Sequence, residues 1–142
     1  MKAGLRSMTD RDYDDVRAVW QCVDGIGECL TRDQLERFLS RNPALSQVAC
    51  LDDRVVGVVL CGHDSHRGYL YRLAVLPDYR RSGIATALVK ECLLRLTQLE
   101  IPRCSVHLFD TNRDGAAFWS AMGWRKRDDV AAYSYDLEVH AS

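Results

Sequence analysis

No stretch of this chain stays apolar for anything near the ~20 residues that a membrane-spanning helix needs, and Met1-Lys2-Ala3-Gly4-Leu5-Arg6 has no apolar signal core. A cytoplasmic protein that engages no membrane is the expectation. A surplus of positive charge is missing as well: 19 Lys and Arg stand against 20 Asp and Glu, a formal charge of −1. General nucleic-acid binding, which wants a strongly basic face, is not expected. No C-x-x-C pair occurs among Cys22, Cys29, Cys50, Cys61, Cys92 and Cys104, so neither a zinc site nor a redox motif is indicated, and no metal is expected. Scattered thiols on apolar faces act as small hydrophobes in a reducing compartment. Repeats, low-complexity segments and linkers are lacking too. Residues 1–142 read as one domain, long enough to bury roughly 70% of the surface of the unfolded chain.

The apolar pattern and its punctuation give an α/β order. Residues 4–8 suit a strand. Thr9 with Asp12, and Thr31 with Gln34, have the spacing of N-terminal capping boxes, the first before Val16, Val19, Trp20 and Val23, the second before Leu35, Phe38 and Leu39. Asp24-Gly25-Ile26-Gly27 breaks the first helix and Asn42-Pro43 stops the second. Gln47–Leu51 and Val55–Cys61 around Asp52-Asp53 predict a Val-rich hairpin. Tyr69–Val75 follows as a strand, then a helix with Ile84, Leu88, Cys92 and Leu96 on one face. Pro102 precedes a strand over Cys104–Phe109, a helix follows Asn112, and Trp124–Arg127 with Ala132–Val139 are expected to close the fold as a hairpin. The sum is a mixed sheet with helices on both faces.

Between Tyr69–Val75 and the next helix lies the most informative run, Pro77-Asp78-Tyr79-Arg80-Arg81-Ser82-Gly83-Ile84-Ala85-Thr86. The first N–H groups of a helix lack intrahelical acceptors and sit at the positive end of its dipole, so an anion is bound there by backbone. Gly83 and Ala85 keep side chains out of its way, Arg80 and Arg81 add charge, and Thr86 offers a hydroxyl. The Lys of a G-x-x-x-x-G-K-[ST] nucleotide loop is missing.

Arg80-x-x-Gly83-x-Ala85, after a strand ending Val75-x-Pro77, resembles the acetyl-CoA pyrophosphate loop of the GNAT superfamily of N-acetyltransferases. Asn112, Phe118, Trp119, Gly123 and Trp124 follow that family's C-terminal spacing, and the likeness runs from Leu5-Arg6-Ser7-Met8-Thr9-x-x-Asp12 to about Leu137. Gly62-His63-Asp64-Ser65-His66-Arg67-Gly68 is similar to the bacterial YpeA-type members. The resemblance implies a single-domain acyl-CoA N-acyltransferase fold whose mixed sheet splays between Tyr69–Val75 and Cys104–Phe109, pantetheine running in the gap like an extra strand. It implies acetyl-CoA as co-substrate, held by the backbone of Leu73, Ala74 and Val75 along its arm and by Arg80, Arg81, Ser82, Gly83, Ile84, Ala85 and Thr86 at its phosphates. Asn112 is placed to contact it, and is equally a common N-cap.

Acyl transfer to an amine needs a base, carbonyl polarisation and help for the leaving thiolate. His107, five residues before Asn112, stands where RimI-type ribosomal-protein acetyltransferases carry a catalytic Glu, and an imidazole is suited to accept the amine proton; a strand histidine on a polar face is the plainer reading. Trp119 departs from the family, which usually has a Tyr there to protonate the sulfur, and an indole N–H is no practical proton source. Either Tyr71, Tyr133 or Tyr135 supplies the phenol instead, or the thiolate, a good leaving group, departs without a dedicated acid, while Trp119 packs in the core or walls the pantetheine. The implied reaction is direct attack by a primary amine in a ternary complex; the alternative is a catalytically weak acyl-CoA-binding sensor. The expected acceptor is a small molecule, a protein N-terminus or a lysine, a homodimer is allowed, and Asp24, Glu28, Asp64, Asp110, Asp128 and Asp129 make acidic the loops expected to meet the acceptor.

Overall fold

Both predicted capping boxes start helical structure. In the computed structural model, which describes residues 3–23 and 29–139, the Asp12 carboxylate accepts the Thr9 N–H at 2.8 Å and opens a 3-10 turn, Asp10–Asp12, that runs into α1 (Tyr13–Gln21). At α2 (Arg32–Arg41) the box is reciprocal: Thr31 Oγ1 accepts the Gln34 N–H at 3.1 Å, and Gln34 Oε1 accepts the Thr31 N–H at 2.9 Å. The expected break at Asp24–Gly27 lies outside the described residues.

The chain divides into two compact units, Met1–Phe109 and Asp110–Ser142. The first holds a five-stranded sheet in the order β1 (Gly4–Ser7), β2 (Gln47–Leu51), β3 (Arg54–His63), β4 (Gly68–Val75), β5 (Cys104–Val106). Neighbours are antiparallel except β4 and β5, which are parallel. β3 is buried from Val55 to Gly62, as a central strand covered on both faces must be. Two glycines show which helix covers which face. A Cβ on Gly57 would meet Ile84 and Leu88 of α3 (Ile84–Gln98), and one on Gly62 would meet Phe38 of α2. Five residues apart on one strand, they point to opposite faces. The α3 stripe is buried as its spacing predicts, Ile84, Leu88, Cys92 and Leu96 together with Val89. Each large aliphatic there contributes roughly 1.5–3 kcal/mol, so Leu88→Ala should cost about 2–5 kcal/mol.

The second unit is built on α4 (Arg113–Ala121), with Asn112 as its N-cap: Asn112 Oδ1 accepts the Gly115 N–H at 2.8 Å. Gly123, at φ +91°, ends it, and the Trp124 N–H reaches back to the Trp119 carbonyl at 3.0 Å, the 6→1 bond of a Schellman stop. Trp119 is buried, its ring 5.0 Å from Phe118 and 4.5 Å from Trp124.

Two expected strands are absent and one is short. Neither Trp124–Arg127 nor Ala132–Val139 forms a strand, and Tyr133, Tyr135, Leu137 and Val139 are exposed. Alternation supplies an apolar face, but a strand also needs a partner for its N–H and C=O groups; the contacts in this stretch are local side-chain pairs, Lys126 with Asp128 at 3.8 Å and Arg127 with Asp129 at 2.8 and 2.9 Å. The strand expected over Cys104–Phe109 ends at Val106, which puts His107 just past a strand end instead of within one.

Candidate functional site

β4 outruns β5. Their pairing is Gly68 with Cys104, Tyr69 with Ser105 and Leu70 with Val106, and there it stops, while β4 continues through Tyr71 to Val75. Along those residues no strand among the described residues lies beside the edge of β4 that β5 leaves. Leu73, Ala74 and Val75 lie on this stretch, the last two with buried side chains. An unpaired strand edge carries a row of backbone donors and acceptors ready for another extended chain.

At the end of that edge the backbone turns into α3 through a 3-10 turn, Pro77–Tyr79. Arg81 takes φ +62° and Gly83 φ +85°, left-handed conformations that turn the chain sharply into the helix. The earliest intrahelical bond runs from the Ala87 N–H to the Gly83 carbonyl at 3.0 Å. The N–H groups of Ile84, Ala85 and Thr86 therefore have no acceptor within the helix. No side chain caps Gly83 and no acidic residue sits in the first turn. A Cβ at Gly83 would meet nothing within 4 Å, so the glycine serves backbone conformation and open access. Arg80 Nε is tied to the Val75 carbonyl at 3.3 Å and Ser82 Oγ donates to the Tyr79 carbonyl, whereas Arg80 and Arg81 both stay exposed. The arrangement is an anion seat with its positive end open.

A row of rings crosses the face of β4 that α2 covers. Phe38 stands edge-on to Tyr71 at 5.8 Å, Tyr71 lies 6.0 Å from Tyr69, and Tyr69 is 6.1 Å from His107. Two of the residues singled out for proton transfer, Tyr71 and His107, are thus linked through one intervening tyrosine. Burial, then Tyr69 and Asp64, push the Tyr71 phenol up from its ordinary value, so the hydroxyl is held in its protonated form. Tyr133 belongs to the second unit, lies in no helix or strand and is 95% exposed; it makes no ring pair or hydrogen bond among the described residues. Asn112 caps α4 and Trp119 sits in the aromatic cluster of the second unit, which accounts structurally for both.

The loop between β3 and β4 is a tight polar turn. Asp64 Oδ1 accepts the N–H groups of Arg67 at 2.7 Å and His66 at 2.9 Å, which hold its carboxyl below the usual range. Its carboxylate is occupied in shaping the loop. Of the other acidic loop positions, Asp24 and Glu28 lie outside the described residues.

Two residues absent from the sequence-based site meet at β4. Trp20 Nε1 donates to the Arg72 carbonyl at 2.9 Å and the Arg72 guanidinium lies over its ring. Trp20 reads in sequence as one more apolar helix position. The available signal was Arg72 itself, a cation inside the otherwise apolar and aromatic Tyr69–Val75.

A parallel pair that parts midway, beside a helix whose uncapped N-terminus follows the longer strand, is the layout of an N-acetyltransferase. The Acetyltransferase (GNAT) family matches residues 12–124, and the chain belongs to that family. It is 28% identical over 127 residues to an acetyltransferase of Yersinia pestis (strain Pestoides F), covering 89% of this chain and 90% of that one. Among solved structures its fold is similar to the ribosomal-protein-alanine N-acetyltransferase from Brucella melitensis biovar Abortus 2308, with TM-score 0.75, 17% identity, and coverage of 96% and 100%. AAC(6')-Iy in complex with a bisubstrate analogue, CoA-S-monomethyl-acetylneamine, gives TM-score 0.76 at 18% identity, with the same coverage.

Proposed function

We propose that this acetyltransferase moves the acetyl group of acetyl-CoA to a primary amine by direct attack in a ternary complex. The observation that carries the reading is the uncapped start of α3, with Arg81 and Gly83 in left-handed conformations, placed at the end of an unpaired strand edge. Main-chain N–H groups of residues 82–86 hold the diphosphate, with Arg80 and Arg81 adding charge and Thr86 a hydroxyl. The backbone of Leu73, Ala74 and Val75 binds the pantetheine arm, and one N–H there polarises the thioester carbonyl.

The amine nitrogen attacks the thioester carbon, a C–N bond forms and the C–S bond breaks. His107, directly or through water, takes the proton the nitrogen sheds, and the Tyr71 phenol returns one to the departing sulfur. The products are an amide and free CoA thiol. Support for Tyr71 is its place in the ring row beside Tyr69 and His107.

Calorimetric titration with acetyl-CoA, followed by thiol release across a panel of amines, tests the reading. Binding with turnover is expected. Binding with no CoA released from any amine would convert the protein into an acyl-CoA sensor, and no binding would end the proposal.

A further inference from the structure

Within Tyr69-Leu70-Tyr71-Arg72-Leu73-Ala74-Val75 a single charge interrupts an apolar and aromatic strand. The pairing of β3 with β4 slips at this point. Leu60 faces Tyr71 and Val58 faces Ala74, so Arg72 and Leu73 share the place opposite Val59, the two-against-one count of a β-bulge. Arg72 absorbs the extra residue with φ +53°, a conformation that a long side chain keeps only when its surroundings impose it. Trp20 imposes it from α1, with its indole N–H on the Arg72 carbonyl at 2.9 Å and its ring centroid 5.4 Å from the guanidinium carbon.

Among the described residues no carboxylate is in ion-pair reach of Arg72, and Nη1 is buried with no acceptor while the residue keeps part of its surface open. Buried donors in native proteins are matched with few exceptions, and an exception beside a binding cleft points to a partner that arrives with a ligand. Arg72 lies on the stretch of β4 that β5 has left. It directly precedes Leu73–Val75, the backbone proposed to hold the thioester. A planar fork of N–H donors matches a carboxylate in two parallel bonds, and the phosphate seat at residues 80–86 is a separate place.

We propose that Arg72 is the acceptor's carboxylate-binding residue, and that this enzyme acetylates amines bearing a carboxylate near the nucleophilic nitrogen, as free amino acids do. The inference rests on the acetyl-transfer reading above.

The test compares free amino acids with their amides, for example phenylalanine with phenylalaninamide and lysine with lysinamide, as acceptors for thiol release from acetyl-CoA. Amidation removes the carboxylate at nearly constant size and makes the α-amine less basic, so chemistry alone favours the amide. A preference for the acid therefore reads carboxylate binding. Expected is a kcat/KM at least about tenfold higher for the acids, the scale of a charge-assisted hydrogen-bond pair. Arg72→Met, which keeps the stem and deletes the cation, should bring the acid-to-amide ratio to one or below through KM, and Arg72→Lys should restore part of it. The dissociation constant for acetyl-CoA should be the same in all three proteins. Equal use of acid and amide by the parent, a ratio unmoved in Arg72→Met, or weakened acetyl-CoA binding in that variant would overturn the assignment. Direct titration of the same acids and amides into the parent and into Arg72→Met, by calorimetry, decides the case where no acceptor turns over. An acid preference lost in the variant sustains Arg72 even then, and its absence rejects Arg72. Failure of acetyl-CoA itself to bind would instead reject the acetyl-transfer reading.

Discussion

Leu70 of β4 and Val106 of β5 form the last rung of the parallel pair in the sheet. Past them β4 runs on to Val75 paired with β3 alone, its other edge without a strand among the described residues, and the chain that would have continued β5 supplies His107 instead. One strand end therefore creates the open edge and sets the proposed base beside Tyr69.

Gly83→Glu should abolish acetyl-CoA binding. The carboxylate would stand at an uncapped helix start whose first N–H groups have no other acceptor, and it would compete with the diphosphate. A loss of more than about 100-fold in calorimetric affinity is expected, of the order set by removing several charge-assisted bonds. Gly83→Ala separates this from strain: at φ +85° it should lower stability by about 1 kcal/mol while leaving much of the affinity. Equal affinity in Gly83→Glu and the parent would remove this turn from the site.

Tyr71→Phe and His107→Ala should differ in their pH profiles. Because burial raises the Tyr71 phenol above its ordinary value, it is protonated throughout pH 6–9, and Tyr71→Phe should lower kcat by a similar factor at every pH in that window. His107→Ala should cost roughly 10²-fold or more in kcat, most at the acidic end, where hydroxide and free water are the poorest substitutes for a base. Steady-state kinetics over pH 6–9, with acetyl-CoA affinity measured alongside, checks both. A profile for His107→Ala parallel to the parent's would exclude it as base.

The Arg6–Asp12 pair should govern stability in acid. Burial raises the Asp12 carboxyl, but the Arg6 guanidinium at 2.8 Å and the Thr9 N–H outweigh it and hold it below the ordinary aspartate range in the folded protein. A depressed folded value means the contribution is complete above the unfolded carboxylate range and disappears as pH falls through the folded value, so the loss falls below about pH 4. Arg6→Met, which leaves a buried carboxylate short of a partner, should cost about 1–3 kcal/mol at pH 7. Urea denaturation from pH 2 to 7 should show that difference shrinking toward zero at the acid end. A constant difference across the range would assign the Arg6 effect to packing.

The buried thiols should resist alkylation. Neighbouring Cys61 and burial push the Cys92 thiol up, and burial raises Cys104 to about 12. A thiol kept from ionising is a poor nucleophile. Iodoacetamide at pH 8 on the native protein should label exposed Cys22 first and spare Cys61 and Cys92, with unfolding in guanidinium releasing both, as read by mass spectrometry. Rapid native labelling of Cys92 would contradict its burial.

What could be read from sequence is what depends on neighbours along the chain. The capping boxes at Thr9–Asp12 and Thr31–Gln34, the turn before α3 and the α3 stripe each need only local geometry, and each is where the spacing put it. The closing hairpin failed for the complementary reason: the alternation Tyr133-x-Tyr135-x-Leu137-x-Val139 specifies a face and says nothing of a partner. The bulge at Arg72 was equally hidden, because it exists only in the register between β3 and β4, and the indole bond that fixes it joins residues 52 positions apart.

Gly57 carries a consequence for the seat at the start of α3. A methyl there would lie 2.9 Å from Ile84 Cγ2 and 3.2 Å from Leu88 Cδ1, and Ile84 is the first residue of that helix. The height at which the helix rides above the sheet, and with it the aim of its leading amides, is gauged by an atom that a mid-sheet residue does not have. Ligand affinity is thereby coupled to a side chain's absence inside β3, where no ligand atom would ever reach.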